Sequence, residues 1–85
     1  MSSGIYREIG RRIRRAREQL NLSQEELARR LNYQSPATIS YFEAGERKVS
    51  IADLQRIASI LGLPLGYFLN EAATPPRDSP LPAPR

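Results

Sequence analysis

The side chains that could do chemistry in this chain are defined first by what is missing. Its 85 residues include no cysteine and no histidine. That removes thiol nucleophiles, disulfides, thiolate zinc sites and the commonest general base. An enzyme built on this chain would have to work with carboxylates, Tyr, Ser and the single Lys48, so the expectation is a protein that is not an enzyme and needs no cofactor or metal. Cations are abundant instead. Arginine supplies all of them except Lys48, and Arg7, Arg11, Arg12, Arg14, Arg15 and Arg17 crowd into one run opposed there only by Glu8. The net charge is +4 and the pI near 10.1. Such a balance suits nucleic acid or another anionic surface, although a charged helix face is often simply solvated.

The second chemical feature is the stretch Asn32 to Glu46, NYQSPATISYFEAGE. Ser35 is a strong helix cap, and Pro36 follows where its missing N–H costs nothing. The helix so begun runs to about Ala44, and Gly45 suits the left-handed residue that closes it. Around the wheel Ile39, Phe42 and Glu43 share one face. Pro36, Ala37, Ser40, Tyr41 and Ala44 share the opposite one, with Thr38 between. The second face has no charge and mostly small side chains, where a solvated helix would carry Lys and Glu. It reads as a surface made for close approach to a partner; the alternative is a helix packed beneath a neighbour.

These residues are positioned by a pattern that is helical throughout, with no period-two run long enough for a strand. The chain is predicted to be all-α, a compact bundle of five helices with short connections. The first helix spans about Ile5 to Leu20, with Ile5, Ile9, Ile13, Ala16 and Leu20 on one stripe. The second is announced by Ser23 and Glu26 as a capping box and buries Leu27, Ala28 and Leu31. The third is the helix just described. The fourth starts at Ser50, with Asp53 as a second cap pair, buries Leu54, Ile57, Ala58 and Leu61, and stops at Gly62. A short fifth spans Pro64 to Leu69. Glu43, on the core side of the third helix, needs a buried partner. Arg17 flanks the apolar stripe of the first helix and is the best-placed cation, so an Arg17–Glu43 ion pair is expected, against the alternative of an exposed Glu43.

In this order the motifs LSQEELARRL (22–31), TIS (38–40), the Glu43-Ala44-Gly45 end, a basic loop and an apolar helix ending in Leu-Gly resemble the Cro/lambda-repressor-like helix-turn-helix family, also described as the xenobiotic-response-element type. The likeness covers about residues 9–69. It implies a five-helix domain in which helices 2 and 3 form the helix-turn-helix, helix 3 enters the DNA major groove and helix 2 lies across the backbone. It places Gln34, Ser35, Pro36, Ala37, Thr38, Ser40 and Tyr41 as base-contact candidates, and Ser23, Gln24, Arg47 and Lys48 as phosphate-contact candidates. The family glutamine matched by Gln24 also braces the recognition helix, and family members often link the positions of Arg17 and Glu43. Two departures stand out. Asn32 replaces the usual glycine after helix 2, and the turn Asn32 to Ser35 is one residue longer, so the reading is led by either Gln34 or Ala37. Without Arg or Lys on the exposed face, bidentate guanine recognition is not expected; thymine methyls and DNA shape are.

The resemblance implies a sequence-specific double-stranded DNA-binding transcriptional regulator, with repression as the simplest output. A domain this small buries only about 60% of its unfolded surface and offers few contacts. A homodimer on an inverted-repeat operator is therefore expected, with Leu65, Tyr67, Phe68 and Leu69 either forming the dimer patch or closing the bundle. Alternatives are an antitoxin-like module binding a protein partner through its tail, a restriction–modification controller, the DNA-binding part of a longer regulator, or, more distantly, an RNA-binding or protein-docking domain. The expected layout is a disordered segment at residues 1–4, a DNA-binding domain at 5–70 and a disordered, Pro-rich C-terminal tail at 71–85. No run approaches a membrane span and no signal peptide is evident, so a cytoplasmic protein is expected.

Overall fold

The structure, a computed structural model, describes residues 3–69. It is all-helical over that range: α1 (Ser3–Gln19), α2 (Gln24–Arg30), α3 (Ala37–Ala44), α4 (Ile51–Leu61) and α5 (Leu65–Leu69). The proline-rich segment 71–85 lies outside the described residues, as do residues 1 and 2.

Serines start three of the helices. Ser23 Oγ accepts from the Glu26 N–H at 2.9 Å, and Ser50 Oγ from the Asp53 N–H at 3.1 Å. Ser35 Oγ accepts from the Ala37 N–H at 3.0 Å. Pro36 already has helical dihedrals, φ −67° and ψ −14°, so it occupies the first turn as its fixed ring angle favours. At α2 only the serine half of the capping box forms. The Glu26 carboxylate lies instead with Arg29 (3.5 Å) and Arg30 (3.4 Å) on its own helix.

Four helices end in one way. Asn21 (φ 58°), Asn32 (φ 69°), Gly45 (φ 75°) and Gly62 (φ 75°) are left-handed. The next residue's N–H then reaches back five residues: Leu22 to the Arg17 carbonyl at 3.1 Å, Tyr33 to Ala28 at 2.9 Å, Glu46 to Tyr41 at 2.9 Å and Leu63 to Ala58 at 3.0 Å. This closure normally brings an apolar residue down onto the helix it ends. Leu22, Tyr33 and Leu63 do so against the core. At the end of α3 the residue is Glu46, which is exposed.

The core gathers Ile9, Ile13 and Ala16 of α1, Leu27, Ala28 and Leu31, Ile39 and Phe42, Val49, the α4 face Leu54, Ile57, Ala58 and Leu61, and Phe68 of α5. Three expectations need correction. Ile5 and Leu20, at the ends of the α1 stripe, are exposed (54% and 49%): Ile5 stands at the open edge of a cleft against α4 and α5, and Leu20 lies just past the last residue of α1, next to the turn at Asn21. Residues 3 and 4, expected to be disordered, belong to α1. Ser and Gly have low propensity for a helix interior, but extending an existing helix gains a hydrogen bond for each residue fixed. Phe68 is fully buried and closes the bundle, so it is not part of a surface patch.

Helix α1 meets α3 backbone to backbone. A Cβ on Gly10 would overlap the Phe42 carbonyl oxygen and lie 2.6 Å from that of Glu43. One on Gly45 would lie 2.7 Å from the Arg7 Cα. Two glycines thus permit the crossing that carries α3.

Candidate nucleic-acid interface

Helix α3 divides into two faces. Ile39, Phe42 and Glu43 are buried. Pro36, Ala37, Ser40, Tyr41 and Ala44 are exposed, and Thr38 is half-buried between them. Gln34 and Ser35, in the turn before the helix, are also exposed. The residues singled out for base contact therefore lie along one exposed side of α3 and the turn leading into it.

Behind that side is a buried brace. Arg17 Nε donates to Glu43 Oε2 at 2.7 Å, and its Nη2 to Oε1 at 3.2 Å. Arg17 Nη1 donates to the Leu22 carbonyl at 2.7 Å, and Gln24 Nε2 to Glu43 Oε1 at 2.9 Å. A bidentate guanidinium–carboxylate pair fixes orientation as well as distance. The four residues tie α1, the α1–α2 turn and the start of α2 to α3. Its hydrogen bond to the Glu43 carboxylate pushes the Arg17 guanidinium still higher than its ordinary range, so Arg17 stays charged. Ser23 is exposed at the start of α2, with Gln24 half-buried beside it.

The cations sort into two groups. Glu8 takes Arg11 at 2.6 Å and Arg12 at 3.2 Å, Glu18 takes Arg14 at 3.1 Å, and Glu25 and Glu26 take Arg29 and Arg30. Much of the arginine run is thus answered within its own helix. Among the described residues Arg7, Arg15, Arg47 and Lys48 have no ion-pair partner. Arg47 sits over the Tyr41 ring, 5.2 Å from its centroid, and Lys48 lies 6.0 Å from that of Tyr6. A cation over an aromatic face is held in place while its N–H groups remain free to bind an anion.

Sequence reasoning missed three contributors. Gly10 matters only through the closeness of α3, a tertiary fact with no local signature. Arg56 of α4 donates to the Leu31 carbonyl at the end of α2 and lies 5.7 Å over the Tyr33 ring. Tyr33 meets the Phe42 ring edge-on at 6.2 Å and fills the longer turn between α2 and α3. Its hydroxyl is buried without a hydrogen-bond partner, and burial, with the Asp53 carboxylate adding to it, pushes the phenol up to about 12. Its position just after a left-handed asparagine was the available clue, since a residue there folds back onto the preceding helix. In α5, Leu65, Tyr67 and Leu69 are half-buried. Tyr67 is tied to α1 by Arg12, whose Nη1 donates to its carbonyl at 3.1 Å.

A helix-turn-helix family model matches residues 13–68. An uncharacterized transcriptional regulator in the ATPase CF(0) region of Rhodospirillum rubrum is 38% identical over 63 residues, 74% of this chain and 57% of that protein. An uncharacterized HTH-type transcriptional regulator of Sinorhizobium medicae is 36% identical over 64 residues, 75% of this chain and 45% of its own length. The chain spans about half the length of these curated relatives. Among solved structures, the restriction-modification controller protein C.AhdI from Aeromonas hydrophila superposes with a TM-score of 0.73 at 25% identity, over 79% of this chain and 96% of that one. ComR from Streptococcus suis gives 0.64 at 28% identity, over 82% and 23%. None of these relatives is described as an enzyme. The chain belongs to the helix-turn-helix family of the Cro/lambda-repressor type, with α2 and α3 as its helix-turn-helix pair.

Proposed function

We propose that this chain is a sequence-specific duplex-DNA-binding transcriptional regulator, that it represses by occupying a promoter, and that it acts as a homodimer on an inverted repeat. The observation that carries this reading is the uncharged outer face of α3, held from behind by the Arg17–Glu43–Gln24 brace and flanked by free cations at Arg47 and Lys48. Phosphate contacts hold such a protein in place and base contacts select the site. Gln34 to Tyr41 are assigned the second role, and Ser23, Gln24, Arg47 and Lys48 the first. Residues 5–70 are the DNA-binding unit, preceded by the first residues of α1.

The dimer face is proposed to lie beside α5. An apolar cleft of about 220 Å³ is lined by Ile5, Tyr6, Ile9, Ile51, Leu54 and Leu69 among others. Ile5 and Ile51 each stand 54% exposed at its edge. Covering two large exposed aliphatic side chains is the gain a second copy would offer. C.AhdI, matched over nearly its whole length, favours a second and narrower reading in which the chain is itself a restriction–modification controller.

The deciding experiment is selection of bound duplexes from a random pool, with stoichiometry measured on the winner. The expected result is an inverted repeat with informative thymines and half-sites about one helical turn apart, bound by two copies. A guanine-only consensus would remove the proposed base readers, and a single bound copy would remove the dimer. Ile51→Glu should leave a folded monomer in sedimentation. Recovery of sites upstream of a restriction–modification operon would select the narrower reading.

A further inference from the structure

The free cations of this domain are not spread over its surface. Seven described arginines are engaged with Glu or Asp: Arg11, Arg12, Arg14, Arg17, Arg29, Arg30 and Arg56. Those left over are Arg7, Arg15, Arg47 and Lys48, and all but Arg15 converge at the C-terminal end of α3. Arg47 and Lys48 lie in the loop that follows Gly45. The Arg7 backbone lies against Gly45 itself, since a Cβ there would be 2.7 Å from the Arg7 Cα and 3.0 Å from its N. Tyr6, the residue before Arg7, holds Lys48 over its ring. Tyr41, at the last turn of the exposed face, holds Arg47. The one acid in this loop, Glu46, is exposed and forms no ion pair among the described residues.

We propose that Arg7 is a further phosphate-contact residue, and that it forms with Arg47 and Lys48 a three-cation clamp on the sugar–phosphate backbone of duplex DNA. Tyr6 acts as a positioning residue for Lys48. The inference rests on the reading of α3 as the base-contact helix. If the outer face of α3 lies in the major groove, the loop joined to Tyr41 stands beside the flanking backbone, and the first turns of α1 stand with it. Neither Tyr6 nor Arg7 falls within residues 13–68, where the family model matches, so the assignment comes from the packing of this chain. Two features make the clamp effective. The close backbone approach at Gly45 fixes Arg7 relative to the loop. The tyrosine rings hold the other two cations without neutralising them, so their charge remains available to a phosphate.

The test compares the 85-residue chain with Arg7→Gln, Arg7→Lys, Tyr6→Leu and Arg15→Gln variants, on the selected duplex and on a random-sequence duplex, across a salt series. Each phosphate neutralised contributes about 0.9 to the slope of log affinity against log salt. Arg7→Gln should lower that slope by about 1 on both duplexes and weaken binding roughly 5- to 10-fold near physiological salt, without changing the preferred sequence. Arg7→Lys should keep the slope, and Tyr6→Leu should lower it by a smaller amount. Arg15→Gln, the other free cation of α1, should leave both slope and affinity at wild-type values. Thermal melts establish that each variant is folded. An Arg7→Gln slope equal to wild type, or a loss matched by Arg15→Gln, overturns the clamp while leaving the α3 reading intact. A wild-type slope near zero overturns both.

Discussion

On its inner side α3 touches the rest of the molecule through its backbone as well as through the buried Ile39 and Phe42 side chains. The Phe42 and Glu43 carbonyls press on Gly10, and the Glu43 carboxylate accepts from Arg17 and Gln24. On its outer side the same helix carries Pro36, Ala37, Ser40 and Ala44, which hold almost no rotamer freedom, and Tyr41, whose ring is already covered by Arg47. The contrast shows how a helix of eight residues can serve as a rigid reader. Immobility comes entirely from one side, and the other side has little conformational entropy left to lose when a partner arrives.

The sharpest way to break this contrast is at Gly10. Replacing it by alanine puts a methyl group into backbone atoms of Phe42 and Glu43, which cannot rotate away. To relieve the overlap α1 must lift from α3, taking Arg17 off Glu43. The expected loss is on the order of 5 kcal/mol, comparable to the whole stability of a small domain, so Gly10→Ala should be unfolded at room temperature. Gly4→Ala, where nothing lies within 4 Å, should stay within about 1 kcal/mol of wild type. If circular-dichroism melts of the two variants coincided, the close crossing would not be what holds α3.

The ion pair comes next. Glu43→Ala strands the buried Arg17 guanidinium, and about 3–5 kcal/mol is expected to be lost. Replacing both partners, as Arg17→Met with Glu43→Leu, removes the stranded charge along with the pair. That double variant should recover at least half of the loss, because the cost lies in an unpaired buried charge more than in the missing attraction. A double variant as unstable as the single one would mean that the geometry of the brace, not its charge, sets the position of α3.

The helices were legible in the sequence because their signals are local. Ser23, Ser35 and Ser50 cap, Gly45 and Gly62 close, and Ile9, Ile13 and Ala16 recur at helical spacing. The two-faced character of α3 could be read from the wheel for the same reason. The wheel also put Arg17 at the flank of the α1 stripe and Glu43 on the core side, and the need of a buried carboxylate for a partner joined them across 26 residues. What stayed hidden depends on neighbours distant in sequence. Gly10 looks like any helical glycine until α3 lies against it. Arg56 gives no sign that it will reach the Leu31 carbonyl of a helix 25 residues earlier. Phe68 could not be told from Leu65 and Leu69, since a helix of five residues is too short to reveal a buried stripe. Asn21 gives a weaker signal than glycine, because asparagine is only occasionally left-handed.

A paired substitution compares the two sides directly. Ile39 and Tyr41 are two residues apart and face opposite ways. Ile39→Ala should cost about 2–5 kcal/mol of stability, as for other buried aliphatic truncations. Tyr41→Ala should change stability by no more than about 0.5 kcal/mol, yet weaken binding to the selected duplex by about 1–3 kcal/mol. Measured together, melting and affinity should separate cleanly along the two faces. A Tyr41→Ala protein that binds as tightly as wild type would remove Tyr41 from the reading surface.

The smallest expected effect lies at the hinge between the two sides, in the turn that delivers the chain into α3. The Tyr33 phenol ionises at about 12 in the folded protein against an ordinary value of 10.0, mainly because it is buried. A folded-state value above the unfolded one means that the neutral phenol is favoured by folding. Its contribution is therefore fully present below about pH 10 and is lost as the pH rises from 10 to 12. Tyr33→Phe removes the ionisation while keeping the ring against Phe42 and beneath Arg56. It also removes a buried hydroxyl that has no partner. At neutral pH the variant should be as stable as wild type or more stable by up to about 1 kcal/mol. Between pH 10 and 11.5 the wild type should lose melting temperature faster than Tyr33→Phe. Parallel melting curves across that range would place the hydroxyl in water, and with it the turn that sets the register of α3.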